Sequence, residues 1–411
     1  MRKFLRFITQ RVVLTALLIV IQALLLFGII WKLNNYFVYF YAASVLLSLL
    51  LTLRIINNKS NPAFKIAWLI PILLFPVLGG LVYLVFGSDR TGKYIRNKMG
   101  RIEKEMQDGI SKANERSGIE KMPPDVVNQS HYISNSAHCP PYKNTTVEYL
   151  PMGEVKFERM VQELKKAKRY IFMEYFIIQE GTMWNTILDV LEEKAKEGVD
   201  VRVIYDDMGC ILTLPTGYEK TLREKGIQCQ IFNPFIPILS SHFNTRDHRK
   251  ICVIDGNVGF TGGINLADEY INGYEKHGHW KDTAILLKGE AVFSLTTMFL
   301  SMWDYLIKKE GEDYAAYYPD SWDENAQGIV QPFADNPLDD EAVGETVYLN
   351  LINKAKRYVY ITTPYLILSN EMVTAMNTAA KSGVDVRIIT PHVPDKWYVH
   401  AVSRSYYEML V

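Results

Sequence analysis

The sequence predicts an α/β fold: two related sheet-and-helix halves, the second incomplete, behind an N-terminal transmembrane helical hairpin. Three observations carry this. Long uncharged runs crowd the first 90 residues, a helix–glycine–strand pattern occurs twice in the same order, and the remainder alternates strand-like with helix-like segments. A chain of 411 residues is enough for one large domain or two ordinary ones. Its 45 Lys and Arg balance 45 Asp and Glu, which excludes a protein held to nucleic acid by overall charge. An aromatic content of 12% excludes a disordered chain. Cys139, Cys210, Cys229 and Cys252 form no CxxC pair, so neither a zinc site nor a disulfide framework is expected, and reduced, buried thiols are.

The membrane elements come first in the chain. Residues 12–31, 36–53 and 66–87 are free of charge. A helix needs roughly 20 apolar residues to cross a bilayer, so the first two runs predict a hairpin with its turn at 32–35. Arg2, Lys3, Arg6 and Arg11 precede the first run, and Arg54, Lys59 and Lys65 follow the second, which places both flanks in the cytoplasm. The third run carries Pro71, Pro76 and Gly79-Gly80, and is followed by Arg90, Lys93, Arg96, Lys98, Arg101 and Lys104. Breakers within and basic residues on both sides predict a re-entrant or interfacial segment rather than a full span. The basic stretch after it suits an anionic leaflet or a solvated helix face.

Residues 1–90 are thus the anchor and 91–145 a basic juxtamembrane linker. The first half occupies 146–310, an acidic, proline-bearing linker 311–345, and the start of a second half 346–411. Helical spacing over 157–167 leads into the apolar strand YIFMEYFII, a second helix over 184–196, and a strand in GVDVRVIYD. Ala355-Lys356-Arg357-Tyr358 then repeats Ala167-Lys168-Arg169-Tyr170 after 188 positions, and GVDVRIIT repeats the strand opened by Gly198 after 185. Two matches in order at nearly one offset imply a duplicated unit.

The chemistry concentrates in H-x-K-x4-D-x6-G-G-x-N: His248, Lys250, Asp255, Gly262, Gly263 and Asn265. KICVID alternates as a strand, so His248 and Lys250 share a face, while Asp255 falls on the opposite face from Lys250 and reads as structural. The glycines are expected to bring backbone close to a ligand. A neutral imidazole is a nucleophile toward phosphorus, and Lys250 and Asn265 suit the non-bridging oxygens of a phosphoryl group. Asp282 is the candidate acceptor for the other ring nitrogen of His248. Glu174, a charge inside an apolar strand, either faces the site or pairs with a base. His242 reads as a loop residue. His277 and His279 lack a third ligand, so no metal is assigned.

The motif identifies the chain as a member of the phospholipase D superfamily. The hydrophobic N-terminus, WLIPILLFPVLGGLVYLVFG, MEYFII and HRKICVIDGNVGFTGGIN resemble bacterial cardiolipin synthases. The resemblance implies phospholipase-D-like halves, His248, Lys250 and Asp255 as the catalytic motif, and Gly263, Asn265, Asp282 and Glu174 in support. It implies a phosphatidyltransferase using neither metal nor cofactor. His248 would attack one phosphatidylglycerol, release glycerol, and pass the phosphatidyl group to a second to give cardiolipin. The expected partners are phosphatidylglycerol, other anionic phospholipids and the bacterial cell membrane, in which the chain is multi-pass with its catalytic part on the cytoplasmic side. No nucleic acid is expected, and a homo-oligomer is left open. Such proteins carry the motif twice, and the repeat offset puts the second near position 433, past Val411, so the chain reads as C-terminally truncated. The acceptor alcohol stays open. A phospholipase D hydrolase, another phosphatidyltransferase, or a lipid-binding module without turnover are the alternatives.

Overall fold

A computed structural model describes residues 20–25, 27–28, 31–32, 37–58, 62–87, 100, 102, 110, 118–235, 245–309, 312–335 and 341–410. Most of the first uncharged run, the cations before it, the basic residues at 90–104 and His242 lie outside these. The chain forms two compact units, one of residues 1–92 and 233–246, the other of 93–232 and 247–411.

In the first unit, α1 (Phe37–Asn57) contains the one stretch among the described residues long and apolar enough to cross a membrane, Val38–Asn57. It matches the second uncharged run; of the other arm of the predicted hairpin, residues 20–25, 27–28 and 31 are described, and they are helical. The third run folds as two shorter helices, α2 (Pro62–Leu74) and α3 (Pro76–Phe86). The break falls at Phe75, with φ −130° and ψ 73°. Pro76 causes it, because a proline ring disfavours helical geometry in the residue before it. Helices of 13 and 11 residues are each shorter than a full span. Ser48 of α1 donates to the Pro76 carbonyl at 3.0 Å, tying the first helix to the start of the third.

In the second unit, helix α4 (Pro124–Ser136) precedes a seven-stranded mixed sheet of order β1-β7-β6-β5-β2-β3-β4. In chain order the sheet and its helices are β1 (Thr145–Leu150), α5 (Gly153–Leu164), β2 (Tyr170–Tyr175), α6 (Thr182–Lys196), β3 (Asp200–Asp206), α7 (Tyr218–Glu224), β4 (Gln228–Phe232), β5 (Lys250–Ile254), β6 (Val258–Gly262), β7 (Ala284–Gly289) and α8 (Val292–Ile307). β2, β3 and β4 run parallel, and β5 returns antiparallel beside β2. Alternation sorts the side chains. Met173, Tyr175, Val203 and Cys252 face a core with α5, α6 and α7. Phe172, Ile204 and Val253 face a second core with α8. Because α8 is buried all round from Val292 to Asp304, it is apolar on every side.

The second half contains α9 (Val343–Lys354), β8 (Tyr358–Thr362), α10 (Asn370–Lys381), β9 (Asp385–Ile389) and α11 (Trp397–Ser405). β8 and β9 pair in parallel. The duplication extends to side chains. Arg202 bonds Asp200 at 2.9 Å and lies 5.0 Å from the Phe172 ring. Arg387 bonds Asp385 at 3.0 Å and lies 5.1 Å from the Tyr360 ring. The stretch read as an acidic linker is held against the first sheet. Tyr314 is buried and donates to Asp304 at 2.8 Å, and Val330 and Tyr142 exchange backbone hydrogen bonds at 2.8 Å. Its tyrosines supply apolar bodies with polar tips, which lets a charged segment pack.

Candidate active site

His248 stands two residues before β5, at the end where Lys250 pairs with Tyr175 of β2. Phe176 follows β2, and its ring centroid lies 4.8 Å from that of His248. The Lys250 ammonium is 5.5 Å from the same ring and donates to the His248 carbonyl at 2.6 Å. The two motif residues therefore meet around one aromatic ring. Lys250 is buried, and burial lowers its pKa to about 8 against the pull of Asp247, Asp282 and Asp206. His248 keeps an open side toward solvent. Crowding on its other side, reinforced by the Lys250 and Lys396 ammonium groups, lowers its pKa to about 4, with Asp247 opposing. A ring so placed is neutral at pH 7, which is the nucleophilic form.

A buried ionic network backs the histidine. Arg249 donates through Nε to Asp247 at 3.0 Å and through Nη2 to Glu174 at 2.5 Å. The Asp247 N–H donates to Asp206 at 3.1 Å, and Asp206 also accepts from the N–H groups of Met208 and Gly209. The backbone on the N-terminal side of His248 is thus held from both faces. Burial pushes Glu174 well above the usual carboxylate range, and neighbouring Asp247 adds to the rise. For Asp247 burial raises the pKa, but the Arg249 charge and the hydrogen bonds from Glu174 and Arg249 together outweigh it and leave the pKa lowered. Glu174 lies between Met173 and Tyr175, which face the other core, so it points away from the His248–Lys250 face toward α8. It pairs with a base, which was one of the two expectations.

The paired glycines serve close packing within the sheet. A Cβ on Gly262, whose φ is +150°, would lie 2.5 Å from the Thr283 carbonyl oxygen. One on Gly263 would lie 2.2 Å from Asp282 Oδ1. They let β6 approach the segment that leads into β7. Asn265 is buried, accepts from the Ile177 N–H at 3.1 Å and donates to Tyr270 at 2.8 Å. It fastens the segment after β2, and one amide hydrogen is already committed. Asp282 accepts from the Thr283 N–H at 2.7 Å, and its charge acts on Lys250 and Lys156. Among the described residues no hydrogen bond joins Asp282 to His248; the start of β7 engages one carboxylate oxygen instead.

Asp255 does not join the site. It lies past the far end of β5, where it accepts from the N–H groups of Lys168, Arg169 and Tyr170 at 2.9, 2.7 and 3.0 Å. These bonds fit the structural role its strand parity predicts, at the opposite end of β5 from His248 and Lys250. Asp255→Ala is expected to cost about 1–3 kcal/mol of stability by orphaning these donors. Its kcat/KM should stay within a few-fold of the parent, as thermal unfolding and a rate assay on one preparation would report.

Sequence reasoning missed Phe176, Asp247, Arg249 and Lys156. Lys156 is fully buried on α5, donates to the Ile264 carbonyl at 2.8 Å, and burial lowers its pKa to about 7. Its signal was a lysine four residues before Met160 on the buried face of an amphipathic helix. The four cysteines are free and buried, as expected.

The family described as "Cardiolipin synthase, PLD-like domain" matches residues 160–303 and 348–411, and the one described as "Phospholipase_D-nuclease N-terminal" matches 46–88. A protein from Geobacillus thermodenitrificans named cardiolipin synthase is 36% identical over 360 residues, covering 86% of this chain and 71% of that one. The chain belongs to the phospholipase-D-like cardiolipin synthase family. An uncharacterized protein of Streptococcus mutans is 45% identical over 364 residues, covering 87% of this chain and 78% of the other. A crystal structure of phosphatidylserine synthase from Haemophilus influenzae aligns with a TM-score of 0.44 and 14% identity, over 64% of this chain and 65% of that one. Cardiolipin synthases are phosphatidyltransferases, and in this member of the family the motif histidine and lysine meet around the Phe176 ring.

Proposed function

We propose that the protein transfers a phosphatidyl group from one phosphatidylglycerol to another, giving cardiolipin and glycerol, with His248 as the nucleophile. The observation that carries this is the meeting of the His248 ring and the buried Lys250 ammonium around Phe176, in surroundings whose burial and nearby ammonium groups favour the neutral imidazole. A His248 ring nitrogen bonds to phosphorus as the bond from phosphorus to the headgroup glycerol oxygen breaks. That glycerol takes its proton from a general acid other than His248, whose attacking nitrogen has become bonded to phosphorus. The headgroup hydroxyl of a second phosphatidylglycerol then attacks phosphorus, gives its proton to the conjugate base of that same acid, and displaces the imidazole as the phosphorus–nitrogen bond breaks. Lys250 faces the non-bridging oxygens, where a fixed cation gains most as charge builds. Asp282 keeps an oxygen with which to take the other ring N–H once the imidazole carries charge. The anchor holds the chain in the membrane as a multi-pass protein with the site on the cytoplasmic leaflet.

Reconstitution of the full chain with phosphatidylglycerol tests this. Cardiolipin with stoichiometric glycerol supports the proposal, phosphatidic acid converts it to hydrolysis, and vesicle binding without product leaves only the binding module. The pH profile is a further expectation. The nucleophile must be neutral, and a lowered pKa keeps it neutral to lower pH. The acid limb of kcat/KM should therefore fall well below the ordinary imidazole value, toward about 4. An acid limb at or above the ordinary imidazole value would contradict the assignment.

A further inference from the structure

Two large apolar side chains stand exposed at equivalent places of the internal repeat. Leu212 and Trp397 are each 79% exposed. They lie 185 positions apart, the offset that relates β3 to β9. Leu212 lies in the turn that follows β3 and a short helical turn, and Trp397 opens α11 in the stretch after β9. The Leu212 loop is fastened beside His248: Asp206 accepts the Asp247 N–H at 3.1 Å, and Thr213 donates to the Ile178 carbonyl at 2.6 Å. On the other loop, Tyr365 donates to Asp395, and the Lys396 ammonium lies 5.0 Å from the Tyr365 ring. The charge of Lys396 is felt at His248. Tyr398 and Val393 extend the exposed surface, and the Trp397 and Tyr398 rings meet edge to face at 5.9 Å.

One exposed leucine means little. Two bulky apolar groups exposed at corresponding positions of one repeat ask for a partner. Its chemistry is specific. Tryptophan and tyrosine carry an apolar body and a polar tip, which suits the headgroup level of a bilayer, and an adjacent lysine suits anionic headgroups. The substrate argues the same way, since the phosphodiester of a membrane lipid lies at that level. We propose that Leu212 and Trp397 form a two-pronged contact that seats the mouth of the site on an anionic phospholipid bilayer, with Lys396 against the headgroups. This rests on the phosphatidyl-transfer reading and locates the surface that serves it.

The native cysteines are buried, so an introduced thiol takes a maleimide dye selectively. Leu212→Cys, Trp397→Cys and, as control, Asn325→Cys would each be labelled with an environment-sensitive dye. The full chain would then be reconstituted in vesicles of phosphatidylglycerol and phosphatidylcholine. Asn325 is exposed on the segment whose Asp320 bonds Asn257, past the far end of β5. Spin-labelled lipid should quench the dye severalfold more at 212 and 397 than at 325; equal quenching at all three overturns the proposal. The paired Leu212→Ser, Trp397→Ser variant should raise KM for vesicle-borne phosphatidylglycerol by roughly tenfold or more, from the apolar burial it forgoes. It should leave turnover of a water-soluble short-chain analogue unchanged, and an equal loss on both substrates overturns the docking role. Quenching needs no turnover, so quenching without cardiolipin fails the transfer reading alone, and turnover without differential quenching fails the docking alone.

Discussion

His248→Asn is expected to lose activity by about 10³-fold or more, because removing a nucleophile removes the covalent route itself. Folding should survive. The ring is open to solvent and, among the described residues, makes no hydrogen bond, so thermal unfolding should match the parent within a degree or two. Lys250→Met should lose roughly 10²–10³-fold, the usual cost of removing one stabiliser of developing charge. The two variants differ in a second readout. Phosphatidylglycerol carrying labelled phosphorus should mark the parent chain with an acid-labile, base-stable phosphoramidate. The label should persist at slower formation in Lys250→Met and vanish in His248→Asn. Undiminished cardiolipin synthesis by His248→Asn would remove the histidine from the mechanism.

The motif histidine and lysine were legible because their separation is local: two residues apart in near-extended chain leading into β5, both come to the Phe176 ring. The break at Phe75 was legible for the same kind of reason, since Pro76 acts on its immediate neighbour. The repeat was legible at the level of tetrapeptides, and the paired Arg202 and Arg387 clamps extend it to side chains. What escaped depends on partners far along the chain. Gly262 and Gly263 are required by Thr283 and Asp282, about twenty positions on, and close strand packing leaves the same glycine signature as close ligand approach. Glu174 announced itself as a charge among apolar residues, but its partner Arg249 is 75 positions away, in the variable place of the motif. Lys156 was hidden in a helix whose neighbouring lysines are ordinary surface residues.

Arg249 carries the second large expected effect. Its guanidinium is the only cation hydrogen-bonded to Glu174 and Asp247 among the described residues, and both carboxyl groups are buried. Arg249→Met would leave them facing each other without a counter-charge. Breaking a buried ionic group in this way costs about 3–5 kcal/mol. For a domain of this size that lowers Tm by on the order of ten degrees, read by differential scanning fluorimetry in detergent. Glu174→Gln should behave differently. Burial and Asp247 already favour the protonated form of Glu174, so the amide replaces a neutral acid of the same shape, and the loss should be about 1 kcal/mol or less. The network also holds Asp247, which precedes the nucleophile, so any Arg249→Met protein that folds should lose kcat more than it gains KM. Equal Tm losses in the two variants would mean that Glu174 is ionised and that the pair is a simple salt bridge. A large loss in Arg249→Met alone identifies the guanidinium as the charge that lets two buried carboxyl groups sit behind the catalytic histidine.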